Sequence, residues 1–454
     1  MTSVSEPDPA AATSAAPKKA SSLWAVATAE LRARADTWQT DPERWSQLPA
    51  ELVATGPIPG DGAAELRRVA ADLVRWNRLP PLDPRERSAW VPVDPPVPVR
   101  SGPASPIRSL KLKGIGLGTT GGPTQPAAEP YNDALRHAHV GITDDGDFCL
   151  RYSERAPLGG MFLDRARMEY DNAALLQRAG CPSTVPVALF RYESLECPWQ
   201  PGRPLGVVVS GGPTEEPLRA CGLMVADPGD PTIYGRACAE ILRLWGPDRG
   251  SALRAVAFEV GRTLRQFHEA GLFRHNGYPT NYLLDPRTRR ICLLDLDSSL
   301  PLAEFPEPRR AMEILRDVAG AVFSLGLIFF EPSIAERFPP DELAATGHFQ
   351  RLLDGYFGAA ALPPAILDAF LDHVFGRYEQ LYRRRQEIRD APDGDAVLRG
   401  LWPDRCFCYP TVVAALGTAY TESALHRRFP LRFPPAELTA RARSFVRHGA
   451  PAEW

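Results

Sequence analysis

Lysine is scarce in this sequence. Of its 52 basic residues only four are lysine, and the other 48 are arginine. Lys18 and Lys19 lie near the N-terminus, and the remaining two are Lys111 and Lys113. Lysine carries a compact ammonium, whereas arginine carries a wide planar guanidinium. Because Lys111 and Lys113 stand directly before a glycine-rich segment, we expect them to face phosphate, although a solvated strand edge would also explain them.

Patterned cysteines and long apolar segments are also lacking. The eight cysteines are scattered without a C-x-x-C pair, which argues against a zinc site or a disulfide framework. The longest apolar run, 319–330, is too short to span a bilayer and is interpreted as a buried helix. The first residues contain no apolar signal segment. We therefore expect a protein of the reducing cytoplasm.

Charge of one sign does not dominate either. The formal net charge is -3, so nothing global indicates binding to nucleic acid or to an anionic membrane. The chain has 454 residues and 44% hydrophobic composition, enough for a sizeable core and two or three structural units.

The composition changes along the chain and predicts four regions. Residues 1–22 are expected to be a disordered tail, and 23–100 a helical extension that ends in a proline-rich arm. Residues 101–235 are predicted to be mixed and mostly strands, and 236–454 mainly helical, with Ser251 as the N-cap of one helix. The fold class predicted from this pattern is α+β.

A short strand at 107–113 leads into a glycine-rich turn. Gly114, Gly116 and Gly118 would let backbone N–H groups approach a phosphate closely. The turn is not a P-loop, because no G-K-[ST] follows it. We expect it to bind a nucleotide together with Lys113.

Two further residues are candidates for the phosphate-binding group. Glu169 lies on a predicted helix, 163–179, which Gly180 should end, and could pair with the phosphate-binding cation. Arg151, on a predicted strand at 147–152 that follows the glycine-rich turn, is an alternative cation. Glu169 could equally be an ordinary solvated helix residue.

The most informative segment is a predicted β-hairpin. Short strands at 282–285 and 291–294 are joined by the turn PRTRR, with Asn281 directly before the hairpin and Asp295 directly after it. Both residues should therefore lie at the same end. An amide and a carboxylate oxygen beside a phosphate-binding loop are suitable ligands for Mg²⁺ or Mn²⁺.

These segments resemble the protein-kinase-like superfamily and, remotely, the selenoprotein O family of protein AMPylases. The similar stretches are Leu110–Gly114 with Pro130–Tyr131, Glu169–Thr184, and Phe273–Asn281. The resemblance implies a bilobal fold with a β-rich N-lobe and a helical C-lobe, and transfer of AMP from ATP to protein hydroxyls. It also implies that Lys113 and Glu169 bind phosphate, and that Asn281 and Asp295 bind metal.

The sequence departs from these families at the expected catalytic base. Thr280 stands where the family has an aspartate before the metal-binding asparagine, and Asn276 stands where kinases have their base. Neither can accept a proton as a carboxylate does. His275 and Asp297 are the remaining candidates, Asp297 being the third residue of the motif Asp-Leu-Asp in the D-F-G position.

Three functions fit these observations. The first is an ATP- and metal-dependent transferase that modifies a protein, a peptide or a small metabolite at a hydroxyl. The second is a nucleotide-binding pseudokinase or scaffold without turnover. The third is a biosynthetic kinase for a small molecule or peptide, with a substrate cleft formed by the N-terminal region and the segment 196–235.

Overall fold

A computed structural model describes residues 50–56, 58, 61–76, 79, 88–99, 105–116, 127–128, 138–152, 157–197, 200–274, 281–327, 345–358 and 410–448. Within these ranges the chain has the predicted α+β fold, rich in strands up to about residue 212 and mainly helical after it. No helix in the described part is long and apolar enough to cross a membrane.

Thirteen strands are described. They are β1 (Ala50–Thr55), β2 (Ser88–Val97), β3 (Ile107–Lys113), β4 (Ala127–Ala128), β5 (Ala138–Ile142), β6 (Phe148–Tyr152), β7 (Pro157–Leu158), β8 (Val185–Cys197), β9 (Gln200–Gly212), β10 (Leu272–Arg274), β11 (Tyr282–Asp285), β12 (Arg290–Leu293) and β13 (Ser299–Pro301). The main sheet has five antiparallel strands in the order β1-β8-β9-β3-β2, so β1 and β2 are its edges.

The helices follow the same chain order. They are α1 (Asp61–Leu73), α2 (Leu163–Arg178), α3 (Gly222–Val225), α4 (Ile233–Trp245), α5 (Arg249–Glu269), α6 (Glu307–Leu327), α7 (His348–Phe357), α8 (410–422), α9 (Ala424–Arg428) and α10 (Pro435–His448). The prediction for α2 is confirmed, including its end at Gly180, whose φ is +71°.

The five-stranded sheet has a helix on each face. Alternate residues of β3 point to opposite faces, and Leu110 and Leu112 pack in one hydrophobic core with α1. On the other face Val208 packs with Ala166 and Tyr170 of α2. Lys111 and Lys113 occupy this second face, because they alternate with the two leucines. The sheet therefore presents both lysines to α2.

The helical part has its own hydrophobic core. The predicted apolar stripe of α5 is fully buried there, from Leu253 to Phe267. The N-cap prediction was wrong by one turn, because Asp248 Oδ1, not Ser251, accepts a hydrogen bond, from the Ser251 backbone N–H at 2.8 Å. The predicted buried helix at 319–330 is confirmed as far as Leu327, within α6.

The predicted hairpin is present as β11 and β12, with Tyr282 opposite Leu293. One face, which includes Leu284 and Leu293, lies in the helical core. The other face, with Leu283 and Cys292, points toward the five-stranded sheet. The hairpin therefore separates the helical core from the sheet and carries the residues that follow it to the sheet.

One local prediction requires correction. The proline-rich stretch after residue 80 contains β2, whose residues 88–92 pair in register with β3, so part of this predicted arm is a sheet strand. The strand predicted at 147–152 is confirmed as β6, which pairs with β5 in a separate two-stranded ribbon. The ribbon packs on the helical part, where Phe148 contacts Phe445 and Arg316 donates to the Val140 carbonyl. The domain boundaries stay a prediction, although strands on both sides of residue 100 share one sheet.

Candidate functional site

Two lysines from β3 and one glutamate from α2 form the centre of the candidate site. Lys111 Nζ donates a hydrogen bond to Glu169 Oε1 at 2.9 Å, and Lys113 Nζ donates to Glu169 Oε2 at 3.0 Å. Glu169 and Lys111 are almost completely buried, whereas 16% of the Lys113 side chain is exposed. Glu169 therefore holds both ammonium groups, and Lys113 is the one that solvent reaches.

The segment after the hairpin contributes two carboxylates. Asp295 follows β12 and has a left-handed backbone, with φ of +65°, which is uncommon for a residue other than glycine. Its carboxylate accepts a hydrogen bond from Lys113 Nζ. Asp297 Oδ2 lies 3.0 Å from the same ammonium group. Lys113 is thus paired with carboxylates from both α2 and the segment after β12.

Side-chain and backbone hydrogen bonds fix α2 relative to this segment. The amide of Asn172 donates to the carbonyl oxygens of Leu296 at 3.0 Å and Ser299 at 2.8 Å. Beyond the end of the helix, the Leu293 N–H donates to the Pro182 carbonyl at 2.9 Å. Because α2 is tied on both sides of Asp295, the distance between Glu169 and Asp295 is set by the fold.

Electrostatic coupling shifts the pKa values of the paired groups. Burial would lower the pKa of Lys113, but Asp295, Asp297 and Glu169 together raise it well above its ordinary value. Burial would raise the pKa of Glu169, yet Lys111 and Lys113 hold it below its ordinary value. The lysine is therefore fully protonated and Glu169 fully ionised at neutral pH.

The pKa values of the two aspartates are shifted in opposite directions. Burial acts to raise the pKa of both. At Asp295 the ammonium of Lys113, assisted by Lys111 and Arg219, outweighs burial and holds the pKa below its ordinary range. At Asp297 Lys113 opposes burial without overcoming it, and the pKa stays raised. Asp295 is consequently the permanent anion of the pair, and Asp297 binds a proton more readily.

The cluster has the composition of a cation site. One carboxylate oxygen from each of Glu169, Asp295 and Asp297 lies within 4.8 Å of the other two. With two ammonium groups and three carboxylates, the five side chains carry a net charge of -1 (+2 - 3). Since Glu169 already accepts from both lysines, Asp295 and Asp297 are the carboxylates suited to a hard cation such as Mg²⁺.

The structure places Asn281 where the hairpin prediction required it. The backbone N–H of Leu294 donates to the backbone carbonyl of Asn281 at 3.0 Å, so Asn281 and Asp295 flank the same end of the hairpin. Asn281 is buried. Metal binding by its side-chain amide oxygen stays a prediction.

The glycine-rich turn is described only at its start. Gly114 has φ of +101° and Gly116 +89°, which other residues rarely adopt. A Cβ on Gly114 would lie 2.4 Å from the Gly206 carbonyl oxygen, so close packing also requires glycine there. Phosphate binding by Gly114 and Gly116 stays a prediction, and Gly118 lies outside the described residues.

The roles of the other two predicted site residues, Arg151 and His275, stay predictions. Arg151 lies on β6, which belongs to the ribbon on the helical part and not to the sheet that carries Lys113. The cation that pairs with Glu169 is supplied by β3, before the glycine-rich turn and not after it. His275 lies outside the described residues.

A buried network holds Arg274, the last residue of β10. Asp317 Oδ2 on α6 accepts a hydrogen bond from the backbone N–H of Arg274, at the end of β10. The same oxygen lies 3.3 Å from Nε2 of His268 on α5, and Nδ1 of His268 is 2.6 Å from the Tyr356 hydroxyl on α7. Three helices therefore fix the position of Arg274.

Sequence reasoning missed two parts of the site. Lys111 was expected to face phosphate, but it is buried against Glu169 and orients that carboxylate. Asn172 was not considered at all. The signal for Asn172 was its spacing of three residues from Glu169 on a helix, which places both on adjoining parts of one face.

Comparison with known proteins gives no family. No protein-family model matches the chain, and no curated protein matches it.

Solved structures give only weak likeness, and kinase domains are among them. "WaaP in complex with acyl carrier protein" has 19% identity and a TM-score of 0.30, over 56% of this chain and 93% of that one. "ROP18 kinase domain in complex with AMP-PNP and sucrose" has 12% identity and a TM-score of 0.26, over 86% and 98%. ROP2 from Toxoplasma gondii, described as having "a protein- kinase fold and no enzymatic activity", has 13% identity and a TM-score of 0.25, over 84% and 98%. The geometry of the charged cluster is therefore the stronger guide to function.

Proposed function

We propose that this protein is an ATP- and metal-dependent transferase of kinase-like fold. The observation that supports this most is the pairing of Lys113 with both Glu169 and Asp295. A buried glutamate fixes the lysine, and an aspartate from the segment after a hairpin approaches it from the other side. Enzymes that transfer phosphorus-containing groups need a fixed cation for phosphate next to oxygen ligands for a metal.

Each group of the cluster has a role in this proposal. Asp295 and Asn281 would hold Mg²⁺ or Mn²⁺, which would neutralise charge on the triphosphate. Lys113 donates to a phosphate oxygen, and Glu169 keeps its ammonium in place. A cation bound by Asp295 would compete with Lys113 for that carboxylate, which leaves the ammonium available to phosphate.

Proton removal from the acceptor hydroxyl is assigned to Asp297 or His275. The raised pKa of Asp297 makes it a better proton acceptor than its neighbour Asp295. Transfer of phosphorus-containing groups depends mainly on positioning and charge neutralisation. The missing carboxylates at Asn276 and Thr280 are therefore compatible with turnover.

The transferred group is proposed to be AMP or phosphate. The similarity of Leu110–Gly114 and Glu169–Thr184 to the selenoprotein O family favours AMP transfer to a protein hydroxyl. A peptide or small metabolite is the alternative acceptor. The cofactors are ATP with Mg²⁺ or Mn²⁺, and the proposed compartment is the cytoplasm.

A second candidate function is nucleotide binding without turnover. Asn276 and Thr280, which stand where a carboxylate base is expected, favour this alternative. Such a protein would keep the pairing of Lys113 with Glu169 as a structural element and would bind Mg-ATP without forming product.

One experiment tests both candidate functions. The protein is incubated with ATP labelled separately at the α and γ phosphorus, with Mg²⁺ or Mn²⁺ and a panel of proteins and metabolites. Incorporation of the α label would identify AMP transfer, and of the γ label phosphate transfer. Either should be lost in Asp295→Asn and retained in the control Asp227→Asn, whose side chain is exposed. Binding without incorporation would support the second function, and the absence of both would contradict the proposal.

A further inference from the structure

Trp90 lies beside the charged cluster on the same side of the sheet. It is on β2 and pairs in register with Lys111 of β3. Directly opposed residues of neighbouring strands point to the same face, so the indole extends toward the hairpin like the side chains of Lys111 and Lys113. Only 4% of Trp90 is exposed. The cluster therefore has a large buried aromatic ring as its neighbour.

The indole packs against the hairpin face that points to the sheet. Trp90 forms a separate hydrophobic cluster with Leu283, Cys292 and Leu294. Its ring also lies against Gly212 at the end of β9, where an added Cβ would be 2.8 Å from Cζ3 of the indole. Because Leu294 directly precedes Asp295, this apolar cluster adjoins the proposed metal ligands.

The N–H group of the indole lacks a hydrogen-bond acceptor from the described part of the chain. Its Nε1 is buried and has no hydrogen-bond partner among the described residues. A buried N–H group without an acceptor is unfavourable, so the buried arrangement of Trp90 is not optimal. An arrangement in which Nε1 reaches water would remove this cost.

The strand that carries Trp90 is weakly held. Among the described strands, β2 lies at the edge of the sheet and pairs only with β3. Its register is interrupted between Pro92 and Val97, and three of its ten residues are prolines, which lack an N–H for the ladder. Displacement of Trp90 would therefore disrupt few backbone hydrogen bonds.

We propose that Trp90 occupies the space for the nucleotide base and inhibits nucleotide binding until it moves out. The inference depends on the proposed function, since it requires that phosphates bind at Lys113 and Asp295. An aromatic base needs flat apolar surroundings next to those groups. Among the described residues that space is bounded by Leu283, Leu294 and Gly212, and Trp90 fills it.

Titration calorimetry of the full chain with Mg-ATP and with Mg-tripolyphosphate tests this inference. Trp90→Val keeps a β-branched residue in the strand and removes the ring. If about 90% or more of the molecules have Trp90 in place, Trp90→Val should bind Mg-ATP roughly tenfold or more tightly than wild type. Tripolyphosphate has no base, so its affinity should not change.

A tryptophan on the opposite face of the sheet is the matched control. Trp76 is buried in the core under α1 and contacts Tyr192 edge to face. Trp76→Leu should leave the affinity for both ligands unchanged. A gain in Mg-ATP affinity in Trp76→Leu equal to that of Trp90→Val would overturn the inference, since general loosening would explain both.

The outcomes separate this inference from the proposed function. Equal or weaker Mg-ATP binding by Trp90→Val, with tripolyphosphate bound by both proteins, overturns the role of Trp90 and leaves the phosphate site intact. Binding of neither ligand by either protein overturns both.

A second measurement does not depend on the folding of Trp90→Val. Nucleotide should shift the tryptophan emission of the wild type to longer wavelength, because the indole of Trp90 enters water, and the shift should be absent in Trp90→Phe. An identical shift in Trp90→Phe would count against the inference.

Discussion

The ammonium of Lys113 is paired with the carboxylate of Asp295, which lies 182 residues further along the chain. Lys113 ends β3 of the sheet, and Asp295 follows the hairpin strand β12, so the pair joins the two parts of the fold. Glu169 binds the same ammonium from α2. One lysine of the sheet therefore contacts carboxylates from a helix and from the segment that follows a hairpin.

Replacing Lys113 should weaken Mg-ATP binding, whereas replacing Lys111 should act mainly on the free energy of unfolding. Lys113→Ala removes the solvent-accessible ammonium, and loss of one charge-assisted hydrogen bond to phosphate should weaken Mg-ATP binding by about 10-fold to 100-fold. Lys111→Ala leaves one oxygen of the buried Glu169 without its partner, which should cost about 1–3 kcal/mol of unfolding free energy. Titration calorimetry and urea unfolding measure these effects. A loss of Mg-ATP affinity in Lys111→Ala as large as that in Lys113→Ala would contradict this division.

Asp295 and Asp297 should influence stability in opposite directions. The pKa of Asp295 is lowered in the folded chain, so its ionised form stabilises the fold. This contribution is complete above the unfolded-state pKa and is lost as the pH falls through the folded-state pKa. The pKa of Asp297 is raised, so its contribution to stability is lost as the pH rises through the unfolded-state and folded-state values.

At neutral pH Asp295→Asn should therefore lower the unfolding free energy by about 1 kcal/mol, whereas Asp297→Asn should leave it unchanged or raise it. The deficit of Asp295→Asn should shrink as the pH falls below the ordinary aspartate pKa of 3.8. Urea unfolding of the wild type and both variants across the acidic range gives the comparison. Equal destabilisation by both substitutions would show that the pairing with Lys113 does not distinguish the two aspartates.

Local patterns predicted the parts of the site that depend on neighbours in sequence. The hairpin followed from two short apolar strands around a turn, and its pairing places Asn281 and Asp295 at one end as expected. Helix α2 followed from its periodicity and from Gly180. Glu169 was proposed as the partner of a cation, and the structure pairs it with two lysines of β3.

Contacts between distant segments could not be predicted in this way. The prolines of β2 indicated an extended arm, because a strand with few N–H groups is recognisable only from the strand beside it. Alternation identified β6 as a strand but does not reveal its partner, so Arg151 was expected next to the phosphate site. The contact of Trp90 with Leu283 likewise joins residues that no local pattern relates.

Asn172 should be needed to position α2. Asn172→Leu removes two hydrogen bonds to buried carbonyl groups of Leu296 and Ser299, which should cost about 2 kcal/mol of unfolding free energy. Transfer activity should also fall, because Glu169 and Asp295 lose their common support. Gln177→Leu is the control, since it removes an amide donor to Ser183 from the same helix.

We expect the two variants to lose similar stability in urea unfolding, with activity lost only in Asn172→Leu. Activity is to be measured at a temperature where both variants are folded. Equal activity in Asn172→Leu and Gln177→Leu would mean that the ties to Leu296 and Ser299 are not required for the site.

Asp317 should position Arg274 at the end of β10. Its Oδ2 accepts from the backbone N–H of Arg274, so Asp317→Ala leaves that buried group unpaired and also removes a partner of His268. We expect a loss of about 3 kcal/mol of unfolding free energy together with a large fall in transfer activity. Tyr356→Phe removes only the other partner of His268, should cost about 1 kcal/mol, and should keep activity. Loss of activity in Tyr356→Phe as complete as in Asp317→Ala would show that the state of His268, and not the bond to Arg274, controls the site.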